Sequence, residues 1–144
     1  KQEGESMKND LASRVKSILK LLKSIEPFEK ERILKIRERI TKSLEELSIS
    51  ETKDSNRFEQ EMIYYLEKLD ISEEKTRLEN HCKYFTETLE DGNDTGKKLS
   101  FISQEMGREI NTLGSKASDS NIQHIVVKMK DDLEKIKEQV LNIL

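Results

Sequence analysis

The sequence has no tryptophan, one proline, one cysteine, five glycines and only 5% aromatic residues. Each shortage excludes something. A β-sandwich or barrel needs a turn signal about every 8–12 residues, and one proline with five glycines cannot supply them over 144 residues. The single thiol, Cys82, cannot close an internal disulfide, which suits a reducing compartment. No window approaches the roughly 18 uninterrupted apolar residues of a membrane span, and no secretory or transit pattern is recognisable. An apolar fraction of 33% is too small for a thick globular core. Basic excess is missing as well. A dedicated nucleic-acid module is usually basic, whereas 26 Lys and Arg stand against 29 Asp and Glu, a net charge of −3. Any polyanion must therefore be held by a local patch.

What is present is charge (38%) on a regular apolar spacing, with a mean hydropathy of −0.79. The spacing argues against disorder and for an all-α fold of elongated antiparallel helices, about six in number. The first is expected from Gln2 to Ile25, with Met7, Leu11, Val15, Ile18, Leu22 and Ile25 on one stripe. Pro27 stops it, since proline cannot donate to the helical ladder. The second runs from Pro27 to Leu47 with Ile33, Ile36, Ile40, Leu44 and Leu47 in register, and the polar stretch Ser48 to Ser55 reads as a loop. These two helices suggest an αα-hairpin or coiled-coil arm over residues 1–56.

The third helix, Asp54 to Leu69, is expected to bury Phe58, Met62, Tyr65 and Leu69. The fourth starts at Asp70 or Ser72, with Glu73 and Glu74 in its first turn, and carries Leu78, Cys82, Phe85 and Leu89. The run Asp91 to Gly96 breaks the chain. A fifth helix, Lys97 to Leu113, stacks Leu99, Ile102, Met106, Ile110 and Leu113, with Gly114 as its cap. The last begins at Asp119 or Ser120, and Ile122, Val126, Met129, Leu133, Ile136, Val140 and Ile143 alternate by four and three without a miss. Such stripes need partners, in this chain or in a second copy, and the heptad-like spacing makes a homo-oligomer the expectation.

No familiar catalytic motif is present. The Gly-rich stretch 92–96 lacks the Gly-Lys-Ser/Thr ending that cradles phosphate. The informative segment is Gln104 to Lys116. At 100° per residue, Glu105, Glu109, Thr112 and Lys116 share one line beside the apolar stripe, and Gln104, Arg108, Asn111 and Ser115 share a second. Carboxylates at i and i+4 can ligate a divalent cation or act as acid and base, and Arg108 and Lys116 can hold a phosphate. The plainer alternative is a solvated surface pair neutralised by nearby bases. His81 lies beside the line Leu78–Cys82–Phe85, as a hydrogen-bonded boundary residue or as a ligand or base. His124 reads as surface, and Cys82 as an inert core thiol.

The segment Gln104-Glu105-Met106-x-Arg108-Glu109-x-Asn111-Thr112-Leu113-Gly114-Ser115-Lys116-Ala117 is similar to the signature of the bacterial YicC/YloC family. Ordered blocks on either side strengthen the resemblance. They are Arg57-x-x-Gln60-Glu61, Asp70-Ile71-Ser72-Glu73-Glu74, Arg77-Leu78-x-x-His81, Gly96-Lys97-Lys98-Leu99-x-Phe101 and the closing stretch from Glu134 to Ile143. Residues 57–144 thus resemble the C-terminal helical domain of that family, and residues 1–56 the helical linker before it. The chain begins at Lys1, without Met, and resembles a C-terminal half that lacks the family's N-terminal α/β domain.

The resemblance implies a cytoplasmic endoribonuclease that cuts structured or small RNA with a divalent metal, Mn²⁺ or Mg²⁺. It implies a homo-oligomer, a hexamer in the full-length protein, closing around RNA, with neither membrane nor DNA as partner. By position it brings forward Glu105, Glu109 and His81 as catalytic residues, and Glu105, Glu109, Glu74 and His81 as metal ligands. Arg57, Arg77, Arg108, Lys116, Gln104, Asn111 and Ser115 are its RNA contacts. Three positions depart from the family pattern: Ser100 for Asp, Gly107 for Asn, and Ile110 for a small residue. An isolated half is expected to be inactive. The alternative is a helical oligomerisation scaffold, or an adaptor that delivers RNA, with no chemistry in this half.

Overall fold

The apolar stripes of four helices close on one another, and two further helices form a layer at one end. The structure, a computed structural model, describes residues 2–48, 55–92 and 95–143. Its helices are α1 (Gln2–Ser24), α2 (Glu26–Ser48), α3 (Ser55–Leu69), α4 (Ser72–Asp91), α5 (Gly96–Lys116) and α6 (Ser120–Ile143), with no strand among the described residues. The all-α expectation is met.

Leu11, Val15, Ile18, Leu22 and Ile25 of the first stripe enter one core with Leu78, Cys82, Phe85 and Leu89 of α4. Leu99, Ile102, Met106, Ile110 and Leu113 of α5 join them, as do Ile122, Val126, Met129, Leu133, Ile136 and Val140 of α6. Full burial of each large side chain contributes roughly 1.5–3 kcal/mol before entropy is deducted. The stripe of α6 stops short of its last expected member, since Ile143 is 42% exposed.

The first two helices do not form the hairpin that their adjacency suggests. α1 packs mainly on α6 and α4, while α2 packs mainly on α3. The reason lies in stripe quality. Five successive members of the first stripe are buried, whereas among the described members of the α2 stripe only Ile36 is buried and Ile33 remains 36% exposed. α3 is likewise shallow: Met62 and Leu69 are half-buried, and Tyr65, an expected core residue, is 44% exposed. The side chains of Leu44, Leu47 and Phe58 lie outside the described residues, as does most of the loop expected at 48–55.

Helix ends follow elementary capping. The Asp119 carboxylate accepts from the Ile122 amide at 3.0 Å, closing the first turn of α6. The Asp70 carboxylate accepts from both the amide (3.0 Å) and the hydroxyl (2.7 Å) of Ser72 at the start of α4. Gly92 ends α4 in the left-handed conformation (φ 80°) that favours glycine.

Gly114 is not the cap of α5. That helix continues to Lys116, and Ala117 occupies the cap position, its amide donating to the Leu113 carbonyl at 3.0 Å. Gly114 serves packing instead, because a Cβ there would meet Val126 Cγ1 at 3.1 Å. Gly107 similarly sits 3.3 Å, by the same measure, from Leu133 Cδ2. Two small residues one face apart by seven positions let α5 lie close against α6.

Candidate functional site

Because α5 runs through Ser115, both lines of polar residues drawn from the sequence survive as continuous helical lines. The short 92–95 connection makes α4 and α5 antiparallel neighbours, and two cross-helix contacts fix which flanks meet. At one end Lys116 Nζ donates to Glu74 Oε1 at 2.7 Å and to the Asp70 carbonyl at 3.3 Å. At the other, Lys98 Nζ lies 5.9 Å from the centre of the Tyr84 ring. His81 falls between Glu74 and Tyr84 on α4, and Glu105 and Glu109 fall between Lys98 and Lys116 on α5.

Helical periodicity sharpens this placement. Glu74 to His81 is seven residues, as is Glu109 to Lys116, and seven residues advance about 10 Å with a rotation only about 20° short of two turns. His81 therefore stacks two turns above Glu74, and Glu109 two turns above Lys116 in the opposite chain direction. The groove between α4 and α5 thus carries acid facing base at its lower rung, and a histidine and a carboxylate at the level above.

Glu109 is only 7% exposed, and its Oε2 is buried without a hydrogen-bond partner. Glu74 is 5% exposed; one oxygen receives Lys116 and the other, Oε2, is buried and unpartnered. His81 is half-buried, and its Nδ1 is also buried without a partner. The solvated-surface alternative therefore fails for Glu109 but describes Glu105 better. Glu105 keeps a quarter of its side chain exposed and sits 3.6 Å from the Arg108 Nε.

Among the described residues, no three His, Cys, Asp or Glu side chains are close enough together to hold a metal ion. An all-protein cage is thus not what these residues build. Magnesium-type sites often use only one or two carboxylates, completed by water and substrate phosphate. The Glu105–Glu109 pair, with an open oxygen on Glu109, fits that smaller donor set.

The expected RNA contacts divide into two groups. Gln104, Arg108, Asn111 and Ser115 form an exposed line on α5 next to the groove, although the Ser115 hydroxyl donates to the Asn111 carbonyl at 2.9 Å. Arg77 is on the α4 rim, exposed and ion-paired with Glu73. Arg57 is on α3, 3.5 Å from Glu61, on a helix that packs mainly on α2. His124 is exposed, and Cys82 is fully buried with its thiol pushed up to about 12, chiefly by burial and secondarily by Glu79.

Sequence reading missed the support beneath this groove. Arg32 of α2, 5% exposed, pairs with Glu29 at 3.0 Å, and its Nη2 donates to the Leu69 carbonyl at 2.7 Å and the Lys116 carbonyl at 2.8 Å. It ties the ends of α3 and α5 together directly behind the Lys116–Glu74 contact. On the far side, buried Asp132 of α6 accepts from Ser17 at 2.6 Å and from Arg14 at 3.3 Å, fixing α1. Both pairs resemble ordinary surface charges in the sequence, and nothing in their spacing marks them as buried.

Comparison with known proteins bears on this arrangement. Residues 25–144 match the family model described as Endoribonuclease YicC-like, C-terminal. The chain is 38% identical over 146 aligned positions to a protein of Clostridioides difficile (strain 630) named Probable endoribonuclease YicC. It is 33% identical over 142 positions to the protein of the same name from Haemophilus influenzae. Each alignment covers 99% of this chain and 49% of the relative, so the chain spans about half the length of the curated relatives it matches. With the family match running from residue 25 to residue 144, the chain belongs to the YicC-like endoribonuclease family.

Proposed function

We propose that this chain is the metal- and RNA-holding helical half of an endoribonuclease that cuts structured or small RNA. The observation that carries the reading is Glu109: a carboxylate 7% exposed with an unpartnered oxygen, beside a groove whose rims supply cations. Burying a charged group without a partner is costly. A bound cation is the simplest return for that cost.

In this reading Glu105 and Glu109 hold one Mn²⁺ or Mg²⁺, water and a substrate phosphate complete its shell, and His81 and Glu74 line the groove beside it rather than adding a third protein donor. Bound there, such an ion lowers the pKa of a water or 2′-hydroxyl and polarises the scissile phosphate. Lys116, already half-buried and aligned by Glu74, contacts the phosphodiester, and Arg77 and Arg108 offset its charge from either rim. Gln104, Asn111 and Ser115 extend the RNA contact along α5, and Arg57 contacts RNA at a distance from the cut. Family membership supports the reaction class. The full-length protein works as a homo-oligomer in the cytoplasm, so that several such grooves surround one RNA.

The decisive test is cleavage of a hairpin RNA by the natural full-length protein in manganese. Glu105→Gln and Glu109→Gln should each lower cleavage at least 100-fold while leaving RNA affinity within a factor of a few. Normal cleavage by the double variant defeats the proposal.

A second reading is favoured by one observation. Leu34 (61%), Ile63 (55%) and Tyr64 (60%) leave the α2–α3 layer with solvent-exposed apolar side chains, the mark of an assembly surface. In that case this half is a helical oligomerisation scaffold or RNA-delivering adaptor. It would self-associate, ignore manganese, and leave catalysis to another domain or enzyme.

A further inference from the structure

One face of α5 takes no part in packing. Lys97, Phe101, Gln104, Arg108, Asn111 and Ser115 recur at intervals of four and three, within about 40° of a common line, and all six are exposed. The stripe carries two cations and no carboxylate, in a chain where acids outnumber bases 29 to 26. Phe101 projects from it with 62% of its surface exposed. Three residues earlier, Lys98 reaches the ring of Tyr84 on α4, which is 43% exposed. Phe101 therefore stands at the upper end of the groove, between Lys97 one turn before it and the Lys98–Tyr84 contact.

A lone exposed apolar side chain needs no explanation. A bare ring among cations on an acid-free stripe is different, because this is how proteins hold single-stranded nucleic acid: cations on the phosphates, flat rings under the bases. Tyr84 already has a cation over its ring, whereas none is recorded over Phe101 among the described residues.

Resting on the ribonuclease reading above, we infer that Phe101 stacks on an unpaired base of the bound RNA, with Lys97 and Lys98 on the adjoining phosphates. The strand then follows α5 from the Lys116–Glu74 contact to Lys97, a path of about 28 Å. Bases inside an RNA duplex are already stacked and present no free face. The contact therefore selects RNAs with a single-stranded segment beside the cut.

The test uses the full-length protein and two RNAs: a hairpin whose single-stranded tail carries 2-aminopurine, and a blunt duplex of equal length. Phe101→Ala should weaken tail binding roughly 5- to 150-fold, the range found when a stacking ring is removed. It should abolish 2-aminopurine quenching and leave duplex binding unchanged. Phe101→Trp should restore both signals, and Phe101→Leu, which keeps bulk without a flat ring, should not. The salt slope of log affinity should be unaltered in Phe101→Ala and shallower by about 1–1.5 when Lys97 and Lys98 are both changed to Gln. Wild-type affinity in the Ala or Leu variant, or an equal loss on tail and duplex, overturns the stacking role while the ribonuclease reading stands. A wild-type protein that neither binds nor cuts either RNA overturns both.

Discussion

The guanidinium of Arg32 donates at 2.8 Å to the main-chain carbonyl of Lys116, 84 positions further along the chain. That carbonyl ends α5, where helical carbonyls lack partners and carry the negative end of the helix dipole. The same guanidinium holds the last carbonyl of α3 and the Glu29 carboxylate. One buried fork therefore fixes the backbone from which Lys116 reaches Glu74. Arg32→Met should destabilise the protein by about 3–5 kcal/mol, since it leaves Glu29 as an uncompensated buried charge. Arg32→Lys should recover less than half, because an ammonium cannot span the fork. Urea denaturation of the three proteins checks both statements. A loss under 1 kcal/mol for Arg32→Met contradicts the clamp.

The two packing glycines of α5 should respond differently to alanine. Each substitution gains about 1 kcal/mol of helix propensity. At Gly107 the new methyl meets the movable end of Leu133, whereas at Gly114 it meets Val126 at 3.1 Å, and a β-branched side chain in a helix has almost no other rotamer. Gly107→Ala should be neutral or stabilising, and Gly114→Ala should lower the melting temperature. The order of the two melting temperatures is the measurement, and the reverse order refutes the packing account.

Cys82 should be chemically silent in the native state. Its thiol is fully buried and pushed up to about 12 from 9.0, chiefly by burial, and only the thiolate attacks disulfide reagents. At pH 8 it should resist a disulfide reagent until urea unfolds the chain. Its folded pKa lies above the unfolded one, so its contribution to stability is complete below pH 9 and is lost as pH rises from 9 towards 12. Cys82→Ala should flatten that alkaline limb of a pH–stability curve.

At the acid end Asp70 acts in the opposite sense. The Ser72 hydroxyl hydrogen bond is the largest cause holding its carboxyl below the ordinary 3.8, followed by the opposing effect of partial burial, then the Ser72 amide, Lys116 and Lys75. A depressed folded pKa gives stability that is present above 3.8 and disappears as pH falls through the folded value. Ser72→Ala should move the Asp70 titration upward in a carboxyl NMR experiment and reduce the acid dependence of unfolding. An unmoved titration contradicts the assignment.

The helices were legible because their evidence is local. Six successive members of the α6 stripe, Ile122 to Val140, and the whole α5 stripe, Leu99 to Leu113, are buried where a 3.6-residue period places them. The end of α5 was misread because Gly114 satisfies two different demands, a left-handed cap or a close approach, that look identical in sequence. Tyr65 was misread because a period says which face is apolar but not whether anything covers it.

For the site, the sequence by itself determined the family and the lines Glu105–Glu109–Lys116 and Gln104–Arg108–Asn111–Ser115. All of these follow from residue identity and the fixed rotation per residue. Only the tertiary structure decided that Lys116 meets Glu74, that Glu109 loses its solvent while Glu105 keeps some, that the helix carrying Arg57 packs on α2, and that Arg32 is buried. Those outcomes depend on which helices become neighbours. That choice is made by the summed fit of whole stripes, a quantity that no single position or local spacing contains.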